Sequence, residues 1–579
     1  MNARLARLFS FPLLGKELTE TAARRRTYVI RAVYAVLLYA VFGFTMPEWL
    51  LSPSAPSLAM GVGRQLYEQL CLLQMVGIVL FLPATMCGAI AQEKERESLV
   101  LLFLTNLRPW QIVLQKYFGG LMPMLTFLLL GMPLAAVAYA FGGVTVWKLF
   151  AYLYALLLTC LQIGAIALLC SAWCRTSVGA FISTYFLGAA FYGGPILVYE
   201  LFDEFWPAPW EVSFFTSIQE EKWALLIPLA AVEISNLVDG SFRYFAVQGI
   251  PSLLSVPLLL GLARYHLVRR AFIPASNPFL RPFRWIDGWV KRGNRLVGNV
   301  VFTRGGSTLP EDAPIFWRET TQRALGKANY LVRILLVVEI VTLILCLILT
   351  SVAAKSGSRE AESLSVLAAF VAGFGALTLA VQAANIIVSE RLQQTLEVLL
   401  TTELTARQII LEKAGALRRL MLVIAIPLLT IFGIEFWFEQ KFTFPTPDGR
   451  IAYLVCAVLM TFIYLHWVMW LCIWIGLRVR KRFSAILIAL AALVLWCVAP
   501  IAIYVVVAPK RSFDQPVDRS FTLLSPVTLV AYNEASSLHE LWNNNDPWRV
   551  IIANAALFSA FALIFQQHAL TKADRWLRR

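Results

Sequence analysis

Glu93, Glu95 and Glu97 lead into Ser98, Leu99, Leu102, Phe103 and Thr105, and much of that order returns at Glu390, Thr395, Leu396, Leu399, Leu400 and Thr402. A constant shift of 297 positions (Glu93 to Glu390) aligns Ile90–Lys116 with Ile387–Lys413 without a gap, and ten of the 27 positions are identical. The carboxylates are expected at the start of a helix, where negative charge complements the dipole. Apolar residues at i, i+3 and i+4 then form one stripe on a short amphipathic helix. Thr405-Ala-Arg-Gln408 has the form of a capping box that starts a second helix. Arg108-Pro109-Trp-Gln111 keeps a proline at the first helical position but loses the hydroxyl cap. This is the chemistry of docking. Its plainer alternative is a helix that only floats in the membrane interface.

No residue set points to covalent chemistry. The nine Cys fall almost entirely within apolar runs, as buried thiols do. Cys170 and Cys174 share a helix face without metal-ligand companions, and the four His are dispersed. Neither a metal nor a cofactor is expected on this chain. Gln162, Gln382 and Asn385 read as interhelical hydrogen-bonding groups. Glu339, near the middle of an apolar run, is the clear candidate for an intramembrane polar site.

These segments must be positioned by membrane spans. The chain has 579 residues, 59% of them apolar and 15% charged, with a mean hydropathy of +0.69; soluble chains carry roughly 25% charged residues. The long apolar runs approach the roughly 20 residues that cross a bilayer as helix, and the alternation of a β-barrel is absent. The fold class is therefore an all-α polytopic integral membrane protein with about twelve transmembrane helices. Spans are expected near 28–49, 68–91, 116–141, 148–173, 178–200 and 246–267, then near 330–352, 363–389, 415–438, 451–477, 483–508 and 548–569.

Placing both termini in the cytoplasm puts the basic clusters Arg24–Arg26, Arg269-Arg270, Arg418-Arg419, Arg478–Arg482 and Arg575–Arg579 inside. The net charge of +15 is then an orientation signal that also meets anionic lipid heads. Spread over short loops, it does not suggest nucleic acid.

A second match, at a shift of 302, aligns Phe11-Pro12-Leu-Leu-Gly-Lys16-Glu17 with Ala313-Pro314-Ile-Phe-Trp-Arg318-Glu319. The organisation expected is two parallel six-helix repeats, 1–270 and 313–579, joined by a Pro- and Gly-rich basic linker at 271–312. Apolar stretches after Pro228 and Pro526 are too short to span and are expected as re-entrant or interfacial helices.

The order Pro12…Lys16-Glu17, Glu93-x-Glu95-x-x-Ser98-Leu99-x-x-Leu102, Thr105-x-Leu107…Ile112…Lys116, with its recurrence from Pro314 to Lys413, resembles the permease subunits of type 2 ABC exporters. The resemblance covers nearly the whole chain as two fused units. It implies that the segments are coupling helices resting on ATPase subunits, through Glu93, Glu97, Leu99, Leu102 and Thr105 and through Glu390, Leu396, Leu399 and Thr402. Glu17 and Glu319 would belong to interfacial helices forming the same contact. Leu392 and Gln394, which replace Glu95 and Glu97, imply a second docking surface that is weaker or differently tuned. No phosphate-binding loop occurs in the sequence, so the chain itself is not expected to be an enzyme. Two separately encoded ATPase copies would bring ATP and Mg, in a bacterial plasma membrane. The exported substrate is not specified. An ion-gradient-driven secondary transporter and a non-transporting membrane scaffold are the alternatives.

Overall fold

The computed structural model describes residues 62–95, 98–105, 107–174, 176–205, 242–270, 313–321, 328–356, 360–392, 394–438, 448–507, 523–534 and 547–577, with isolated positions before residue 40. Most of the expected first span, the stretch after Pro228 and the 271–312 linker lie outside the described residues, as do Glu17 and Glu97. The described residues form helices and turns, with no strand among them. Nine described helical segments are long and apolar enough to cross a membrane, and Ser177–Tyr192 and Ser484–Pro500 are shorter apolar helices. The protein is thus a multi-pass, all-α membrane protein.

The chain divides into two compact units, Met1–Arg281 and Pro282–Arg579. In the first, α1 (Val62–Met86) and α2 (Gly88–Glu95) run on as one span. Next come the short α3 (Leu99–Phe103), then α4 (Pro109–Leu130) and α5 (Met132–Ala140), which form a second span. The unit is completed by α6 (Val146–Trp173), α7 (Ser177–Phe205) and α8 (Phe242–Arg270). Gly142 and Gly143, both at positive φ, turn the chain from α5 into α6, a conformation that costs glycine little. α6 is the axis of the unit, packed by α1, α4, α7 and α8.

The second unit contains α9 (Pro314–Thr321), α10 (Ala328–Ser356), α11 (Glu360–Leu392), the short α12 (Thr395–Leu400) and α13 (Ala406–Phe438). It continues through α14 (Asp448–Arg478), α15 (Arg482–Val507), α16 (Pro526–Glu534), α17 (Pro547–Thr571) and α18 (Ala573–Leu577). α11 and α14 are its axis. They approach so closely at Gly476 that a Cβ there would lie 2.4 Å from the Ala384 carbonyl oxygen. The helix expected after Pro526 is α16.

Candidate functional site

In the first unit the acidic residues end a helix: Glu93 and Glu95 occupy the last turn of α2. This departs from the sequence expectation, because the apolar span continues as helix into the acidic run before the chain breaks. A helix C-terminus disfavours carboxylates, and each of the two has a compensating partner. Lys116 Nζ on α4 lies 3.5 Å from Glu93 Oε1, and the Ser98 hydroxyl donates to Glu93 Oε2. Glu95 Oε1 accepts the Ser177 N–H at the start of α7, at 2.8 Å.

Lys94, between them, donates to the Ser171, Ala172 and Cys174 carbonyls at the end of α6. Those are carbonyls the helix itself leaves open. The Ser171 hydroxyl accepts from the Ile90 and Ala91 N–H groups and donates to the Cys87 carbonyl. α3 is therefore suspended from fixed span ends. Leu99 enters the core, and Leu102, Phe103 and Leu107 pack against it. The Thr105 hydroxyl turns back to the Leu102 carbonyl, and Gln111 Oε1 accepts the Arg108 N–H.

The second unit repeats these contacts at the same register. Thr395 Oγ1 donates to Glu390 Oε2, Lys413 Nζ lies 2.9 Å from Glu390 Oε1, and the Thr402 hydroxyl returns to the Leu399 carbonyl. Arg391, the counterpart of Lys94, donates to the Leu477 carbonyl at the end of α14 and to the Trp576 carbonyl. The expected capping box is present, with Gln408 N donating to Thr405 Oγ1 and Thr405 N to Gln408 Oε1. Gln115 Oε1 accepts the Leu14 N–H. Glu412, 297 positions later, accepts the Ile315 and Phe316 N–H groups at the start of α9.

What differs among the described residues is exposure. Lys413 also binds Glu319 at 2.9 Å, and Arg318 reaches Glu390 at 2.8 Å. The side chains of Lys413 and Glu390 are each 1% exposed, whereas those of Lys116 and Glu93 are 12% and 29% exposed. α9 is thereby locked to α11 and α13, and Ile315, Leu399 and Ile409 form an apolar patch beside the ions. Gln394 enters α12 at φ 57°, a left-handed conformation that few residues adopt.

Of the residues expected to dock a partner, Leu99, Leu396 and Leu399 are buried, Leu102 is partly buried, and Glu390 is buried with Lys413, Arg318 and Thr395 around it. Thr105 and Thr402 are exposed. Leu101 and Val398, 297 positions apart, are each 65% exposed, and Leu104 and Glu397 join them on the outer face. The apolar stripe is thus the anchor, and the residues between its members make the outer surface. The sequence signal for them was available: they are the off-stripe positions of the same helices.

Glu339 lies on α10, half-buried, with Oε2 out of solvent and without a hydrogen-bond partner among the described residues. Two further carboxylates escaped sequence reasoning. Glu435 is buried in α13 and accepts the Tyr453 hydroxyl at 2.6 Å, while Glu534 on α16 accepts the Ser365 hydroxyl at 2.8 Å. Gln162 joins Tyr192, Ser252 and Ser255 in a network between α6, α7 and α8. Among the described residues no group of three or more His, Cys, Asp or Glu could hold a metal ion.

No protein-family model matches the chain, and no characterised relative is detected by sequence.

Proposed function

We propose that this chain is the membrane-spanning permease of an ATP-driven exporter, with α3 and α12 as the surfaces that receive separately encoded ATPase subunits. One observation carries the reading. Two short helices, at positions 297 residues apart, are each clamped from within to the ends of neighbouring spans and present Leu101 or Val398 outward. An exposed apolar face on a rigid mount suits a partner that must push on the spans. The matched contacts of Glu93 and Glu390, Lys94 and Arg391, Gln115 and Glu412 favour two tandem six-span units in parallel. Nine candidate spans, two shorter apolar helices and one expected span mostly outside the described residues would bring the number to twelve.

In this reading ATP and Mg are held by the partner, and closure of its two copies rocks the units between inward- and outward-open states. In the same reading both termini lie in the cytoplasm of a bacterial cell, the side that the basic loops favour. The test uses the outer face, since Glu93 and Glu390 serve internal contacts. Reconstituted with its ATPase, the wild-type chain stimulates ATP hydrolysis, and the L101E/V398E pair removes that stimulation. Thermal stability stays within about 0.5 kcal/mol, as for other surface substitutions. Undiminished stimulation in the double variant would sink the assignment.

The buried Glu435 and the half-buried Glu339 and Glu534 support a second reading, transport driven by an ion gradient. Proteoliposomes distinguish the two: uptake that follows an imposed proton or sodium gradient without ATP belongs to the second reading alone.

A further inference from the structure

α14 and α17 finish together in the second unit, and their ends gather positive charge. α14 closes on Arg478, Arg480 and Lys481 follow, and α17 leads through Lys572 into α18 with Arg575; all five are exposed. Asp574 is the only acidic residue in 474–482 or 568–577. Among the described residues, Arg478, Lys481, Lys572 and Arg575 have no carboxylate within ion-pair distance. Like charges are instead crowded together. Arg478 and Lys572 both act on His568, and Arg480 acts on Arg391.

One cation at a helix C-terminus is ordinary, but here Arg391 already caps the Leu477 carbonyl. Arg478 has a different seat. Its guanidinium carbon lies 3.8 Å from the Trp474 ring centroid and 4.9 Å from that of Trp576. Both rings are held: the Trp474 indole N–H donates to His568 Nδ1 at 2.7 Å, and the Trp576 ring meets the His568 ring edge to face with centroids 5.3 Å apart. Stacking engages the faces of a guanidinium and leaves the N–H groups on its rim to bind a planar or tetrahedral oxyanion bidentately. The depth also fits, because Arg478 and Thr571 end the candidate spans Ile451–Arg478 and Trp548–Thr571. Span ends are where Trp side chains and phospholipid phosphates share the interface.

We propose that this end of the second unit binds the phosphate of an anionic phospholipid headgroup. Arg478 is the bidentate ligand, and Lys481, Lys572 and Arg575 supply the surrounding charge. The site rests on the membrane location of the unit and not on the exporter reading, so either can fail without the other.

The test is native mass spectrometry of the full-length chain in detergent, titrated with phosphatidylglycerol or phosphatidylcholine. Phosphatidylglycerol is expected to be retained over phosphatidylcholine. R478Q lowers that retention about tenfold, the usual weight of one charge-assisted hydrogen-bonding group. R478K, which keeps the charge and loses the fork, falls between. The K572Q/R575Q pair changes only exposed side chains, so it leaves the fold intact and lowers retention severalfold. Equal retention of the two lipids, or undiminished phosphatidylglycerol binding in both R478Q and K572Q/R575Q, overturns the proposal. So does displacement of the lipid by millimolar inorganic phosphate, which would make free phosphate the ligand. An acidic partner protein that binds here while neither lipid does also overturns it.

Discussion

The segments 90–116 and 387–413 make the same contacts from the same positions, yet one holds its ions near water and the other seals them away. In both, a carboxylate at the end of one span meets a lysine on the next and a hydroxyl at the start of the short helix. In the second unit Arg318 and Glu319 of α9 close the group into a set of two cations and two carboxylates, of which Arg318 alone is partly exposed. Lys16 and Glu17, 302 positions earlier, lie outside the described residues, so the comparison rests on Glu93 and Lys116. The difference teaches that one contact list can describe two energetic regimes. A partly exposed pair is screened by water and contributes modestly. In a buried set, every charge depends on the others remaining in place.

Removing the lysine should separate the two regimes most sharply. Lys413→Met leaves Glu319 and Glu390 buried beside Arg318 alone, and breaking a buried pair this way costs about 3–5 kcal/mol. Lys116→Met exposes Glu93 to water that already reaches it, and about 1–2 kcal/mol is expected. Thermal unfolding in detergent measures both, and equal losses would erase the distinction. Next in size are the cations that cap the long helices. Arg391→Met frees the Leu477 and Trp576 carbonyls, and Lys94→Met frees three carbonyls at the end of α6. Each should cost about 1–2 kcal/mol, with protease sensitivity rising near α18 only for the Arg391 change. Increased cleavage there in the Lys94 variant would contradict the assignment of Arg391 to that end.

The register of these contacts was legible in sequence because identical residues at a fixed shift carry them: Glu93 and Glu390, Lys116 and Lys413, Thr105 and Thr402. Thr405 and Gln408 likewise announced their cap through local chemistry that needs no partner from elsewhere. The direction in which each side chain faces was less legible. An apolar stripe shows that a helix has a sticky face, but both a protein interior and a docking partner select for that face. Only the packing of Leu99 against the first core, and of Leu396 and Leu399 into theirs, decides between them. Nor could the sequence place Glu435 and Glu534 near Tyr453, because Glu435 and Glu534 are 99 positions apart and meet only through tertiary packing. Lys94 and Arg391 look like ordinary basic residues at a span end until the carbonyls they cap are seen.

The smallest predicted effect comes from Gln115 and Glu412, which accept backbone N–H groups from segments far away in the sequence. Gln115 accepts one N–H, from Leu14, and Glu412 accepts two, from Ile315 and Phe316. A carboxylate at a helix N-terminus gains from the dipole as well as from the hydrogen bonds, while a neutral amide gains only the hydrogen bonds. Glu412→Gln should therefore lower the thermal stability of the chain by about 1 kcal/mol or less, and Gln115→Glu, which puts a carboxylate at a fully buried position, should lower it as well. The signs matter more than the sizes, because both substitutions are nearly isosteric and alter no packing volume. If both destabilise, Gln115 is tuned to its own surroundings and the two caps are not interchangeable. If Gln115→Glu instead stabilises, the two segments share one design with different charge. The tighter ion set of the second unit then follows from Glu412, Arg318 and Glu319 acting together on α9.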